Sequence, residues 1–448
     1  MSAIFVHVSD IHFGQERHQR VYIHEDVKRE LIADATEVVA SLSPSGVKGV
    51  LVTGDVAYSG KAEQYDVAGH WLDALADGIG CPIHQVQLVP GNHDVDREKL
   101  SVGGEHLLAY IRQGGPAEYE KVMSNDFDRA TLFQRFEEYG RFSIGYKCGL
   151  DAEAKLATNL RVEVGPGRWI RFVRLNSSLL CHGAEQDDQP ELVIGERQFV
   201  IPRHAGEENV VLVHHPLNWY KDAEDVRDYV RSRARVFISG HEHDPKVAID
   251  EVAEDCDVMM LAAGAAVPFK SDDTYTHTYN VIEFDWDEAA DSLVVTIHPR
   301  AWNASKTCFE ADEKRLGGKN PRFTLGSPNF KKADPSIGQG EQSAAGSGSP
   351  HEQMMEVVPV EDAEGEEAAI TMAVEGYDLA LLRFFRDLYE GERLRILVDL
   401  DALQPGLDEE MNQGLELRLF NWLVGQNRLP EIVSMTDRLL SERKEGNA

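Results

Sequence analysis

Short β-branched runs recur along the first three quarters of the chain, each ending in polar residues and each followed by a stretch with helical spacing. Ile4 to Ser9, Val50 to Thr53, Val86 to Val89, Trp169 to Leu175, Val210 to Val213, Val236 to Ser239 and Val258 to Ala263 are the runs that predict strands. Tyr279 to Trp286 and Leu293 to His298 instead alternate apolar and polar residues on either side of an acidic, Ala-containing turn, the pattern of an antiparallel hairpin. Strands interleaved with helices predict an α/β domain with mixed sheets over residues 1–325. Residues 98–160 form an insertion with helical patterning, carrying Phe133, Phe136 and Tyr139. The spacing leaves open whether this insertion packs the fold or caps a site. Near the end of the chain the pattern is helical only. Leu379, Leu382, Phe385 and Leu388 step by three, Leu415, Leu419, Trp422 and Leu423 share a face, and Ile432, Met435, Leu439 and Leu440 follow Pro430. Short amphipathic helices this close together predict a small all-α bundle over residues 376–448.

Composition adds a boundary and several exclusions. Of 448 residues, 45 are Lys or Arg and 77 are Asp or Glu, a formal charge of −32. Eleven of the acids lie between Ala333 and Leu382, where no Lys or Arg occurs, around the run GQGEQSAAGSGSP. Such a segment cannot bury enough apolar surface to offset its ordering entropy, so residues 326–375 are expected to be a linker, mobile over 333–374. The acidity opposes a grip on duplex DNA by counterion release, and membrane attachment through a basic face. The five cysteines are scattered and never form C-x-x-C, which argues against a disulfide framework or a zinc ribbon. The chain opens directly on a strand pattern, without the charged and apolar regions of a signal peptide, and has no apolar run of membrane-spanning length. A cytoplasmic protein is expected.

Candidate chemistry gathers at the strand ends. Asp10 and His12 follow IFVHVS, Asp55 follows VLVTG, Asn92 and His93 follow VQLVPG, His214 follows VVLV, and His241 and His243 follow VFISG. Ligands of open α/β sheets bind beyond the carboxyl ends of strands, so these residues are expected to converge in one cleft. Three oxygen donors (Asp10, Asp55, Asn92) and four imidazoles (His12, His214, His241, His243) are too many for one metal ion and about right for two. The mixed N/O set suits Mn, Fe, Zn, Co or Ni. Two such ions about 3.5 to 4 Å apart can clamp a phosphoryl group and acidify a water between them.

D-I-H, G-D, G-N-H-D, H-H-P and G-H-E-H, in this order and each after a strand, resemble the five blocks of the calcineurin-like metallophosphoesterase superfamily. The resemblance spans residues 4 to 245 and implies a four-layer α/β/β/α sandwich. It implies one ion held by Asp10, His12 and His243, a second by Asn92, His214 and His241, and Asp55 bridging. His93 would contact the phosphate and protonate the leaving oxygen, with Asp94 placed to orient it. His215 and Arg97 are the candidate substrate contacts beyond the metals. The phosphoprotein-phosphatase Arg block is replaced here by GDVAYSG, and the repair nucleases of the superfamily need a DNA-binding surface that −32 does not suggest. H-H-P is typical of the cyclic-nucleotide phosphodiesterase branch. The expected activity is thus a phosphodiesterase acting on a nucleotide or other small phosphodiester. A nuclease on single-stranded nucleic acid is the alternative within the superfamily. The C-terminal helices are similar to the death-fold-like effector-associated domains of bacterial conflict proteins, which implies a protein partner for residues 376–448. In its stronger form this makes the chain chiefly a signalling or defence adaptor.

Overall fold

The computed structural model describes residues 2–15, 21–42, 46–150, 157–332 and 375–446, apart from 184, 186–188, 244, 251–256, 269–276, 313, 317, 319 and 404–410. The segment expected to be mobile, 333–374, lies outside the described residues. The chain separates into two compact units, Met1–Ala333 and Asp334–Ala448. No helix among the described residues is long and apolar enough to cross a membrane.

The first unit alternates strands and helices as its sequence pattern dictates. Strands β1 (Ala3–Val8), β2 (Val47–Val52) and β3 (Val86–Leu88) are linked by helices α1 (Val21–Leu42) and α2 (Ala62–Gly78). Four helices, α3 (Val102–Gly114), α4 (Pro116–Met123), α5 (Asp126–Phe133) and α6 (Glu137–Gly145), then occupy the insertion. Strands β4 (Ala157–Gly165) and β5 (Arg168–Arg174), the short helix α7 (Glu196–Phe199), β6 (Glu207–Leu212), helix α8 (Ala223–Arg233), β7 (Ala234–Ser239), β8 (Lys246–Asp250) and β9 (Val258–Ala262) follow. The unit closes with β10 (Thr278–Asp287), β11 (Ser292–Asn303), β12 (Cys308–Ala311) and β13 (Arg322–Leu325).

These strands form two mixed sheets. The first runs β12-β11-β10-β1-β2-β3, with β13 also paired to β11; the second runs β4-β5-β6-β7-β9-β8. β1, β2 and β3 are parallel to one another, and so are β5, β6, β7 and β9, so both sheets carry a parallel core with antiparallel edges. The expected hairpin is β10 and β11, in register from Thr278 opposite Ala301 to Asp287 opposite Ser292. The sheets meet through a shared apolar layer that includes Phe5 and Leu51 from one and Phe172, Val210 and Val236 from the other. Phe5, Phe172 and Phe284 pack edge to face with ring centroids 5.1, 5.9 and 6.0 Å apart. Such pairs each contribute about 0.5–1.5 kcal/mol beyond burial. Helix α1 packs on β10 and β12, and α8 on β6 and β7, which makes the outer layers of an α/β/β/α sandwich.

Strands β4, β8, β12 and β13 go beyond the sequence expectation, and β4 occupies the end of what the pattern assigned to a helical insertion. The reason is position. β4, β8 and β12 are sheet edges, and β8 (KVAID) is largely exposed, so it has no buried face to pattern.

The second unit is helical among its described residues: α9 (Tyr377–Leu382) running into a π-helical turn (Arg383–Asp387), then α10 (Glu390–Asp399), α11 (Gln413–Gly425) and α12 (Leu429–Gly446). Phe384, Phe385 and Phe420 form its aromatic centre. Arg393 and Glu416 form a buried ion pair at 3.1 Å.

Candidate metal centre

The residues just past five parallel strands from both sheets meet in one place: Asp10 and His12 after β1, Asp55 after β2, Asn92 and His93 after β3, His214 after β6, and His241 and His243 after β7. The backbone there is unusual. Asp10, His12, Asp55, His241 and His243 have φ of 53°, 53°, 54°, 70° and 54°, a left-handed conformation that side chains beyond glycine seldom adopt. Strain of this kind gathers at functional sites and persists because the surroundings enforce it. Two glycines are required by close approach. A Cβ on Gly54 (φ +95°) would lie 2.4 Å from His214 Nδ1, and one on Gly91 would lie 2.1 Å from Asp55 Oδ1.

Hydrogen bonds fix which atoms face inward. His214 Nδ1 donates to the Thr53 carbonyl at 2.7 Å, and His12 Nδ1 to the Val267 carbonyl at 3.3 Å. In both rings Nδ1 is thus committed to a carbonyl, and Nε2 is the nitrogen that faces the other candidate ligands. His12 Nε2 faces Asp55 Oδ2 at 3.1 Å. His214 Nε2 faces Asn92 Oδ1 at 3.1 Å, Asp55 Oδ2 at 3.5 Å and His241 Nδ1 at 3.3 Å. Asp10 accepts at Oδ2 from Ser9 Oγ (2.6 Å) and the His241 N–H (3.2 Å), while its Oδ1 lies 3.2 Å from His243 Nε2.

Carboxylate and amide oxygens gathered round these nitrogens favour positive charge between them, whether a proton or a metal ion. Burial alone would lower His214, yet Asp55 carries it up to about 9. His12 is likewise raised, against burial, by its bond to Asp55. Burial pushes Asp55 up, but His214, His93 and His12 hold it well below the usual carboxylate range. Asp10 is held down in the same way by His243. Burial beside His214 pushes His241 down to about 3. The site is a negative well that draws positive charge to atoms that could hold a metal ion. Asp10, His12 and His243 bring one ligand atom each within 4.8 Å of one another, and so do Asp10, Asp55 and His214, the set His12, Asp55 and His93, and the set His214, His215 and His241. Imidazole and carboxylate donors together fit divalent first-row metals.

Five of these residues, His12, Asp55, Asn92, His241 and His243, line a cleft of about 270 Å³ together with His93, Tyr58 and Gln15. The His93 N–H donates to Asp55 Oδ1 and its Nδ1 to the Tyr58 carbonyl, both at 2.8 Å. The imidazole stacks on the Tyr58 ring at 5.1 Å and 21°. Nε2 has no partner among the described residues.

Three expected roles do not match the placement. Asp94 does not orient His93. It is fully buried and accepts from the N–H groups of Val56 (3.2 Å), Ala57 (2.9 Å) and Gly91 (2.9 Å) and from Tyr65 Oη (3.0 Å), tying the loop after β2 to the loop after β3. Burial and the neighbouring Asp55 charge raise it to about 6. His215 is fully buried, with Nδ1 2.8 Å from Ser177 Oγ and its ring against His214, His241 and Trp219, so it props the imidazoles from behind and does not line the cleft. Arg97 is exposed, donates to the Asn92 carbonyl at 3.4 Å and does not line the cleft. Conversely, ligand logic gave Gln15 no weight. Its one signal was position, in the same loop as Asp10 and His12.

Residues 4–245, more than half of the chain, match the family profile of the calcineurin-like phosphoesterases. The chain belongs to the calcineurin-like phosphoesterase family. It is thus a member of a family of phosphoester hydrolases that use divalent metals. Residues 376–438 match the GTPase-associated adaptor domain, which accounts for the helical second unit. The uncharacterized metallophosphoesterase-like protein YydB of Bacillus subtilis (strain 168) is 32% identical over 346 residues, which cover 74% of this chain and 65% of that protein. The chain therefore spans just under two thirds of the length of this relative. Among solved structures, a putative 5′-nucleotidase from Staphylococcus aureus (14% identity, TM-score 0.33) overlaps 71% of this chain and 57% of that one. The NAD nucleotidase of Haemophilus influenzae (10% identity, TM-score 0.32) overlaps 74% and 55%.

Proposed function

We propose that the chain is a dinuclear-metal phosphodiesterase acting on a nucleotide or other small phosphodiester. Its catalytic unit spans residues 1–325 and is tethered through 326–375 to a partner-binding helical module at 376–448. The observation that carries this reading is that His12 Nε2 and His214 Nε2 both face the Asp55 carboxylate, with the opposite nitrogen of each ring already committed to a carbonyl. Asp10, His12 and His243 would hold one ion, Asn92, His214 and His241 the other, and Asp55 would be shared. Bound divalent cations supply charge neutralisation at the phosphoryl oxygens and an acidified water at neutral pH.

The chain's own residues supply the rest. His93 presents Nε2 to the cleft while the Tyr58 carbonyl and ring hold its tautomer and plane, so an imidazolium there would donate its proton to the departing alkoxide. A cleft of about 270 Å³ lies at the small end of ligand sites, which supports a compact ester over a polymer, as does the charge of −32. The match of residues 376–438 to an adaptor domain supports partner-directed delivery or control of the esterase. The test is metal analysis of purified protein together with hydrolysis of bis-p-nitrophenyl phosphate. About two ions per chain with turnover is expected. Metal loading without hydrolysis of any phosphoester would favour the adaptor reading.

A further inference from the structure

The two carboxylate oxygens of Asp10 have different surroundings. Oδ2 accepts from Ser9 Oγ at 2.6 Å and from the His241 N–H at 3.2 Å, while Oδ1 lies 3.2 Å from His243 Nε2. Ser9 follows β1, is fully buried, and has a second neighbour for its hydroxyl in the Thr53 carbonyl at 3.1 Å. A carboxylate and a carbonyl can only accept, and a serine has one hydroxyl proton to give. The carboxylate is both the nearer and the stronger acceptor, so the proton goes to Asp10. Gly240 packs so closely on this hydroxyl that a Cβ there would lie 2.3 Å from Oγ. The Thr53 carbonyl also accepts from His214 Nδ1 at 2.7 Å, so Ser9 stands between the loops that carry Asp10 and His214.

A carboxylate can offer a cation one oxygen or both. Two donors on Oδ2 take up much of its capacity to accept and leave Oδ1, beside His243, as the oxygen turned to a cation. Partners of this kind orient a ligand and tune what it binds. A single carboxylate oxygen suits a small ion of low coordination number such as zinc, whereas larger ions gather more oxygens and take both from one carboxylate.

We propose that Ser9 is a positioning residue of the metal centre: by donating to Asp10 Oδ2 it keeps Asp10 a one-oxygen ligand of the ion assigned to Asp10, His12 and His243, and so biases that position towards small ions. This rests on the dinuclear-metal reading above and adds to it what selects the metal.

The test is calorimetric titration of the metal-free full chain with zinc and, separately, with cadmium, a larger ion that imidazoles also bind. Ser9→Ala is expected to weaken zinc at one of the two positions by about 10- to 100-fold and cadmium much less, narrowing the zinc-over-cadmium ratio by about tenfold or more. Ser9→Thr, which keeps the hydroxyl, should keep the wild-type ratio. An unchanged ratio in Ser9→Ala, or the same shift in Ser9→Thr, overturns the proposal. So does a lowered thermal midpoint of the metal-free chain with equal weakening of zinc and cadmium, the behaviour of a serine needed only for folding. Wild-type protein that binds neither ion overturns the dinuclear-metal reading and this proposal with it, whereas ions bound in a ratio indifferent to Ser9 overturn this proposal alone.

Discussion

His241 stands at φ 70°, and the preceding Gly240 is so tightly set that a Cβ there would lie 2.3 Å from Ser9 Oγ. A side chain in the left-handed region costs about 1–2 kcal/mol that glycine avoids. In metal-free protein, His241→Gly is therefore expected to be more stable than His241→Ala by about 1 kcal/mol in urea denaturation. Equal stabilities would show that the conformation is not strained. On the proposed function, His93 serves the rate rather than the holding of metal. His93→Ala should retain its metal content by elemental analysis while kcat on an alkyl phosphodiester falls about 10²- to 10⁴-fold. The loss should be smaller for a p-nitrophenyl leaving group, which departs without a proton; loss of metal would remove the assigned role. Asp94 belongs to a third kind of position. Asp94→Asn would set an amide N–H against backbone donors and should destabilise the fold by about 1–3 kcal/mol in thermal or urea unfolding. Residue type and spacing made the candidate ligands legible in the sequence, because a metal site needs specific donors. They could not separate Asp94 or His215 from the cleft, because both are polar residues beside ligands and only the direction of the side chain tells a strut from a contact.

At the level of elements, strands buried on both faces announce themselves. β1 and β7 are buried along their whole length and mostly apolar because each lies inside a sheet whose two faces are covered. Edge strand β8 has the burial pattern of a surface loop and was invisible for that reason. The helical unit shows a subtler limit. Stepping by three from Leu379 predicts one apolar stripe, but the π-helical turn at Arg383–Asp387 adds a residue to the repeat, so both Phe384 and Phe385 turn inward while Leu379 is left 41% exposed. No periodicity argument anticipates a change of pitch inside a helix. The pairing of α10 to α11 rests in part on Arg393 and Glu416, both nearly inaccessible. Removing one partner of such a pair leaves an uncompensated buried charge. Arg393→Met alone is expected to destabilise this unit by about 3–5 kcal/mol, and Arg393→Met with Glu416→Leu to recover most of it, as read by thermal unfolding of the full chain.

On the proposed function the molecule divides its labour between two units, and deletion of residues 376–448 should leave turnover of a small diester nearly intact while partner capture is lost. Loss of both would show that the helices belong to the catalytic fold. Within the first unit, one sheet contributes Asp10, His12, Asp55 and Asn92, and the other His214, His241 and His243. Ions shared among these side chains would act as a removable cross-link, fastening the halves of the sandwich to each other. A ligand at a hundred times its dissociation constant adds about 2.7 kcal/mol to folding stability. Chelation should then speed tryptic cleavage within residues 1–333, and restored manganese or zinc should slow it. A protein fastened in this way has a lifetime set by metal supply as well as an activity set by it: scarcity would clear the chain from the cell instead of leaving an idle enzyme to occupy its partner.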